Sequence, residues 1–426
     1  ELGIFLEISQ NFSDAAGVEY HNTGFWHHAT SVFLSGYTQE ERKLLIDKVF
    51  EIFKNKLGFY PTSVGSWWTD SFSLSYMKGK YGITANLVCS DQFSTDGYQI
   101  WGQPWGIPYY PSKLHAGVPA VDKSVKLDIV NIQWAPRDPL NGYQNSLYST
   151  QDYGLAPIPQ NINYFEKLVK LYTNEKEGNS FGQITVGLEA DLGRGVYEGE
   201  YSKQMDVVSK ERENGVTVST MSEFSGWYRK KYPNLSPSVL LEVEDFLGSG
   251  VKAVWSQGPE YRLFYTVDPA TKEITVRDLR FYNADLEEPY YYSPNRNFNL
   301  TINIPAVVDE IGFKESIKKF KSGTNNIVEK FSKEKFTVPF GGVLIKGFSS
   351  EAIHFFKQKK FPLLLLTGKG WDYFRKVNYL IPQGEIYALN FLKRLPSGKV
   401  LVYDNECLQC EYHTKYKPLA FSNIRN

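Results

Sequence analysis

Cysteine, net charge and long apolar runs are all scarce in this sequence, and each scarcity excludes a class of protein. Three cysteines, Cys89, Cys407 and Cys410, are too few for a disulfide framework. Lys+Arg and Asp+Glu both number 47, so the sequence lacks the excess positive charge that nucleic-acid binding requires. No run reaches the roughly 18 apolar residues of a membrane span. We therefore expect neither nucleic-acid binding nor a membrane span.

Aromatic residues, in contrast, are abundant. They make up 15% of the 426 residues, with 29 Tyr, 28 Phe and 9 Trp. Tyr and Trp combine an apolar face with a polar tip, which suits stacking on sugar rings. Core filling is the alternative explanation. Many of the aromatic residues cluster in loop-like segments, which favours sugar binding.

The first 232 residues alternate short strands with helical segments, a pattern typical of βα units and a parallel sheet. Apolar spacing predicts helices at Gln39–Lys56, Tyr164–Tyr172 and Tyr201–Glu213. Thr38 and Glu41 form a capping box before the first of these helices. The predicted strands are Leu2–Ile8, Thr62–Trp67, Ile83–Ser90, Leu127–Trp134, Gln183–Leu188 and Val216–Thr220.

The turn-rich segment Tyr232–Pro237 indicates a domain boundary. Residues 233–306 are predicted to form a β-rich accessory domain, with a β-meander from Ala253 to Ile304. Residues 307–426 form a predicted α+β region of unknown role. It contains a basic amphipathic helix, Phe313–Phe331, and short strands at Gly342–Lys346 and Lys399–Asp404.

Three segments of the first 230 residues resemble the glycoside hydrolase/deacetylase superfamily, which includes the polysaccharide deacetylases with their NodB-like irregular (β/α) barrel. ELGIFLEIS is similar to the strand that bears the HxxxH-type metal motif of deacetylases. GFYPTSVGSWWTD is similar to the segment that bears their Arg-x-Pro motif. GLEAD, followed by a helix and NGVTVSTMSEFSGWY, resembles the end of the barrel.

The sequence departs from that family at the metal site. The positions of the two deacetylase histidines are Phe5 and Ser9, and the closing histidine falls within Gly187–Ala190, where Glu189 is the polar residue. The strand that opens the fold would precede Glu1. We therefore expect an α/β fold with an irregular (β/α) barrel. Either its opening strands lie outside this sequence or the barrel is open.

Carboxylates follow several of the predicted strands, where the ligand groups of (β/α) barrels gather. Glycoside cleavage requires two carboxyl groups roughly 5–10 Å apart. We predict that such a pair is drawn from Glu7, Asp70, Asp91 and Glu189. Glu7 lies within an apolar run, so we expect it to be buried and to need a partner or a function. Turn formation or helix capping is the alternative role for an acidic residue after a strand.

Aromatic side chains at the same strand ends and in nearby loops are the predicted sugar-binding groups. The loop Ser94–Lys113 is rich in Tyr and Trp and is predicted to line the sugar site, with structural packing as the alternative. The predicted substrate-binding residues are Trp26, Trp67, Trp68, Tyr98, Trp101, Trp105, Tyr109, Trp134 and Asp191.

These observations favour a glycosidase that cleaves an oligo- or polysaccharide without a cofactor. A metal-dependent deacetylase is the first alternative, with a divalent ion held by His21, His27 or His28. A non-catalytic glycan-binding protein is the second. The pair Cys407 and Cys410 is interpreted as a reduced pair in a hairpin, because no second CxxC completes a zinc site. Cellular location stays open, with the extracellular space or the cell envelope favoured over the cytoplasm.

Overall fold

The computed structural model describes residues 2–173, 179–187 and 194–312, and three further strands up to residue 348. The fold is mixed α/β. Within this part of the chain the α-helices are α1 (Gln10–Ala16), α2 (Ala29–Val32), α3 (Gln39–Leu57), α4 (Ser71–Tyr81), α5 (Asn141–Gln144), α6 (Ile162–Thr173), α7 (Arg194–Glu213) and α8 (Met221–Lys231). The strands are β1 (Ile4–Phe5), β2 (Ser63–Gly65), β3 (Ala85–Cys89), β4 (Gln92–Thr95), β5 (Tyr98–Trp101), β6 (Pro111–Ser112), β7 (His115–Pro119), β8 (Val130–Trp134), β9 (Val239–Glu244), β10 (Lys252–Gly258), β11 (Tyr261–Val267), β12 (Glu273–Phe281), β13 (Leu300–Asn303), β14 (Val308–Asp309), β15 (Lys318–Lys321), β16 (Phe336–Phe340) and β17 (Val343–Phe348).

A four-stranded parallel sheet with the order β1-β2-β3-β8 organises the first part of the chain. It contains the first four predicted strands, in shorter form. The sheet is open, and no closed barrel is found among the described residues. The other two predicted strands do not form. Residues 181–187 carry no strand assignment, and in 216–220 Val218 is 59% exposed, so no alternating face is buried there.

The predicted helices are confirmed as α3, α6 and α7. In α3, the Thr38 side chain accepts a hydrogen bond from the Glu41 backbone, and the Glu41 carboxylate accepts one from the Thr38 backbone. α3 and α4 pack on one face of the sheet through Leu45, Leu74 and Met77. α8 packs beside β3 and β8, and Ser225 donates a hydrogen bond to the Thr84 carbonyl.

A second, antiparallel sheet follows α8. β9, β10, β11 and β12 pair in sequence order, and β12 also pairs with β14 and β15. The predicted meander is confirmed for β10–β12. The last strand of the predicted meander, β13, does not join it. β13 pairs in parallel with β5. The proposed boundary between the first two domains therefore has a strand pair across it.

The C-terminal predictions are tested only in part. Lys318–Lys321, inside the predicted helix Phe313–Phe331, is a strand paired with β12, so the helix is wrong there. The strand Gly342–Lys346 corresponds to β17, which pairs with β16. Lys399–Asp404, Cys407 and Cys410 lie outside the described residues. None of the helices in the described part has the length and hydropathy needed to cross a membrane.

Candidate active site at the carboxyl edge of the parallel sheet

The carboxyl ends of β1, β2, β3 and β8 lie along one edge of the sheet, because the four strands are parallel. Three half-buried or buried aromatic side chains meet there. Trp67, two residues after β2, makes edge-to-face contacts with Tyr98 at 5.8 Å and with Trp134 at 6.0 Å between ring centroids. We call Trp67, Tyr98 and Trp134 the edge aromatics. They provide a rigid apolar base for a ligand at this edge.

Glu7 lies on the exposed face of the chain after β1. Ile4, Leu6 and Ile8 point into the core, whereas Phe5 and Glu7 point the other way and are exposed. The expectation that Glu7 is buried is therefore wrong, since strand alternation turns it away from the apolar side chains around it. The Glu7 charge is among the causes that raise the pKa of Tyr98, after burial and the charge of Asp96. Glu7 thus lies close to the edge aromatics.

Trp26 belongs to an exposed loop that is attached to the same edge. The Tyr98 hydroxyl donates a hydrogen bond to the His27 carbonyl, and the His27 ring contacts the Trp26 ring edge-to-face at 5.9 Å. Trp26 is 65% exposed and Phe25 is 61% exposed. Both rings are therefore available to stack on a ligand.

Asp70 is buried at the start of α4, where its carboxylate has structural partners. Its carboxylate pairs with Arg42 at 3.0 Å, and it accepts hydrogen bonds from the Ser73 backbone and hydroxyl. Glu288 lies beside it and accepts hydrogen bonds from the backbone of Ser71 and Ala116. Burial and the negative charge of Asp70 raise the pKa of Glu288 to about 8. This cluster connects the end of β2 to the segment between β12 and β13.

Asp91 has a second buried environment. Its carboxylate pairs with Arg262 of β11 at 2.5 Å and accepts hydrogen bonds from the backbone of Gly102 and Gln103. Arg262 also pairs with Asp278, which is paired in turn with Arg280. Burial raises the pKa of Asp91 to about 6, although the adjacent Arg262 opposes the rise. The arrangement joins the end of β3 to the second sheet.

The loop Ser94–Lys113 packs into the protein. The side chains of Tyr98, Trp101, Trp105, Tyr109 and Tyr110 are each at most 4% exposed, so the packing alternative describes them, and a role of this loop in lining a sugar site stays a prediction. These side chains are buried for two reasons. β5 forms a sheet with β4 and β13. In addition, Trp105 stacks on Trp255 at 4.5 Å, in the core shared with the second sheet.

The other predicted residues are distributed as follows. Trp68 is buried on the side of the sheet that carries α4, with its ring edge-to-face to His115 at 6.1 Å. Glu189 and Asp191 lie outside the described residues. The chain nevertheless reaches the carboxyl edge just before them, since a Cβ atom at Gly187 would lie 4.0 Å from the Trp134 Nε1 atom.

The three histidines of the 21–28 loop are held by polar and aromatic neighbours. His21 Nδ1 lies 2.9 Å from the Thr30 carbonyl, and its ring stacks on Tyr37. His28 Nδ1 lies 2.8 Å from the Thr23 hydroxyl, and its ring stacks on Phe298. Among the residues that the structure describes, no group of three His, Cys, Asp or Glu side chains is arranged to hold a metal ion.

Sequence reasoning assigned no role to one polar cluster at this edge, although Arg137 follows a predicted strand. Arg137, after β8, donates a hydrogen bond of 3.0 Å to the Gln92 side chain after β3. The half-buried carboxyl of Asp152 lies close enough that the Arg137 charge acts on it. Burial raises the pKa of Asp152, the Arg137 charge opposes this rise, and the charge of Asp96 adds to it. Asp152 gave no sequence signal, because it lies in a turn-rich segment far from any apolar run.

The sequence profile of a family described as a domain of unknown function with a solved structure (DUF3863) matches residues 28–262. This match covers more than half of the chain. The protein belongs to the DUF3863 family. The matched residues include α3, the strands β2, β3 and β8, and the first part of the second sheet. The family description assigns no activity, so the match fixes a family and not a reaction.

One solved structure is similar to this DUF3863 protein over much of both chains. It is the crystal structure of a candidate glycoside hydrolase/deacetylase from Parabacteroides distasonis. The two chains are 20% identical with a TM-score of 0.51, and the similarity covers 63% of this chain and 68% of the other. At this identity the likeness is one of fold. No curated protein sequence matches this DUF3863 chain significantly.

Proposed function

We propose that this protein is a carbohydrate-active hydrolase, most specifically a glycosidase, and that it acts on an oligo- or polysaccharide at the carboxyl edge of the parallel sheet. The observation that carries the proposal is the exposed carboxylate of Glu7 beside the edge aromatics and the exposed Trp26 loop. Glycoside cleavage uses two accessible carboxyl groups beside apolar rings, and Glu7 supplies one of them. The fold that this chain shares with a candidate glycoside hydrolase/deacetylase supports the same class.

Glu7 and Glu189 are the proposed carboxyl pair. Asp70 and Asp91 belong to the wider predicted set, but each is buried and bonded to an arginine. A carboxylate in that environment is costly to release, because its partner would be left as an uncompensated buried charge. Trp26, Trp67 and Trp134 are the proposed sugar-binding aromatics, because the other predicted Trp side chains are almost fully buried.

The test is a comparison of single variants on a panel of oligosaccharides. We expect Glu7→Gln and Glu189→Gln to lower turnover by at least 100-fold, since each removes one of two groups that act together. Glu51→Gln, on the exposed face of α3, is the matched control. Turnover by both variants at the control rate would rule out this carboxyl pair.

A non-catalytic glycan-binding protein is the second candidate. It is favoured by the burial of Asp70 and Asp91 in ion pairs, which leaves fewer accessible acids at the edge. Binding to a glycan array without turnover of any bound sugar would favour it over the hydrolase. A metal-dependent deacetylase would instead release acetate in a chelator-sensitive manner, and that assay separates it from both.

A further inference from the structure

Gln92 at the start of β4 forms a polar cluster with Arg137, Gln151 and Asp152 of the segment that follows Trp134. Gln92 and Arg137 are 2% and 4% exposed, so both are more than nine-tenths buried. The turn that carries Asp152 is fixed to Arg137 by a bridge between Arg137 and Ser149, whose hydroxyl accepts a hydrogen bond from the Asp152 backbone. The cluster is therefore part of the folded sheet edge.

Several polar atoms of this cluster have no protein partner. Gln92 Nε2 and Arg137 Nε are donors without an acceptor, and Gln151 Oε1 is an acceptor without a donor. The Asp152 carboxylate accepts a long hydrogen bond of 3.4 Å from the Gln151 side chain. Leaving buried polar atoms unpaired costs about 1–3 kcal/mol each, so these three atoms favour a bound molecule that pairs with them.

The balance of these atoms indicates the chemistry of that partner. The cluster contains two donors and two acceptors, and a sugar hydroxyl can both accept and donate a hydrogen bond. The negative charge of Asp96 acts on the carboxyl of Asp152, where Arg137 supplies the guanidinium of the cluster. An anionic group brought to this edge would meet like charges, which are costly where the surroundings are partly buried.

We propose that Gln92, Arg137 and Asp152 form a specificity subsite for the hydroxyl groups of a neutral sugar, and that the surrounding carboxylates exclude uronic and sulfated sugars. The inference rests on the proposed carbohydrate function and deepens it. It assigns Asp152 a role in binding neutral sugars and in excluding acidic sugars. Its carboxylate accepts a hydrogen bond from a sugar hydroxyl and repels the negative charge of an acidic sugar.

The test uses the full chain with neutral and uronate-containing oligosaccharides of equal length. We expect measurable binding of a neutral oligosaccharide by calorimetry, and at least tenfold weaker binding of the acidic one. Asp152→Asn should weaken neutral binding about tenfold, since it replaces a charge-assisted hydrogen bond. Asp152→Asn should also reduce the difference in affinity between the neutral and the acidic oligosaccharide. In steady-state assays the change should appear in KM and not in kcat.

Asp206→Asn, the same substitution on the exposed face of α7, is the matched control. Thermal unfolding of both variants near the wild-type temperature shows that the comparison concerns binding and not folding. If the wild type binds neutral sugars and Asp152→Asn behaves like the control, the subsite is wrong and the proposed function stands. If the acidic oligosaccharide binds as tightly as the neutral one, the proposed exclusion of acidic sugars is wrong. A wild type that neither binds nor cleaves any glycan removes the proposed function and this inference together.

Discussion

At the scale of single residues, the carboxylates at the strand ends differ by environment and not by sequence context. Glu7 is exposed by strand alternation, whereas Asp70 and Asp91 are buried against Arg42 and Arg262. Glu7 lies within a predicted strand, whereas Asp70 and Asp91 follow predicted strands, and this much could be read from the sequence. The partners could not, because Arg42 and Arg262 are 28 and 171 positions away along the chain. Long-range pairing of this kind leaves no local pattern.

Asp70→Asn should lower the free energy of unfolding by about 3–5 kcal/mol, because it leaves Arg42 buried with its carboxylate partner removed. Urea unfolding followed by far-UV circular dichroism measures the change. Asp206→Asn should stay within about 0.5 kcal/mol of the wild type, as an exposed substitution does. An Asp70→Asn protein that is as stable as the wild type but has lost turnover would instead assign Asp70 to catalysis.

Glu288 should make stability depend on pH. Its pKa of about 8 in the folded protein lies above the ordinary value of 4.5, so between these values the folded state holds a proton that the unfolded chain releases. Rising pH therefore favours unfolding, and stability should fall from about pH 5 to about pH 8. Glu288→Gln should flatten that decline in urea-unfolding midpoints. A slope in Glu288→Gln equal to that of Glu51→Gln would contradict the assignment.

At the scale of elements, the predictable ones were those with local signals at their ends. The α3 helix could be located to within one residue because its capping box and apolar spacing are local signals. The predicted strands Gln183–Leu188 and Val216–Thr220 failed because a strand needs a neighbour to pair with, which sequence periodicity does not reveal. β13 was predicted correctly as a strand but with the wrong partner. Its sequence is typical of a meander strand, whereas it pairs with β5.

Thr38→Ala should lower the free energy of unfolding by about 1 kcal/mol, the usual value of a lost N-cap. The Thr38 hydroxyl accepts the Glu41 backbone hydrogen bond at 3.3 Å, and this donor would lose its partner. Thr38→Ser keeps the hydroxyl and serves as the control, with an expected loss of less than half as much. Equal losses in the two variants would mean that the methyl group, and not the cap, stabilises this end of α3.

At the scale of the whole molecule, a buried charge network holds the parallel sheet to the second sheet. Asp91, Asp278 and Asp309 alternate with Arg262 and Arg280, and each of these side chains is at most 4% exposed. The guanidinium of Arg262 also lies near the rings of Trp101 and Trp255, at 5.3 and 5.2 Å. The sequence predicted three regions along the chain, but it could not indicate that charged side chains would be shared between them.

Arg262→Met should cost about 3–5 kcal/mol of unfolding free energy, because Asp91 and Asp278 would both lose a buried counter-charge. Arg277→Met, on the neighbouring strand β12, removes a partly exposed pair with Glu310 and should cost at most about 1 kcal/mol. Denaturant unfolding of the two variants gives the comparison. Similar losses of unfolding free energy in the two variants would show that burial does not increase the contribution of the charge network to stability.

The pairing of β5 with β13 has a consequence for synthesis on the ribosome. β5 ends at Trp101 and its partner begins at Leu300, so one edge of β5 stays open until almost 200 further residues have been made. At about 5–20 residues per second, that interval is roughly 10–40 s. An open edge on an aromatic strand invites pairing with other chains. Nascent chains stalled before Leu300 should therefore recruit chaperones more strongly than chains released after Asp309.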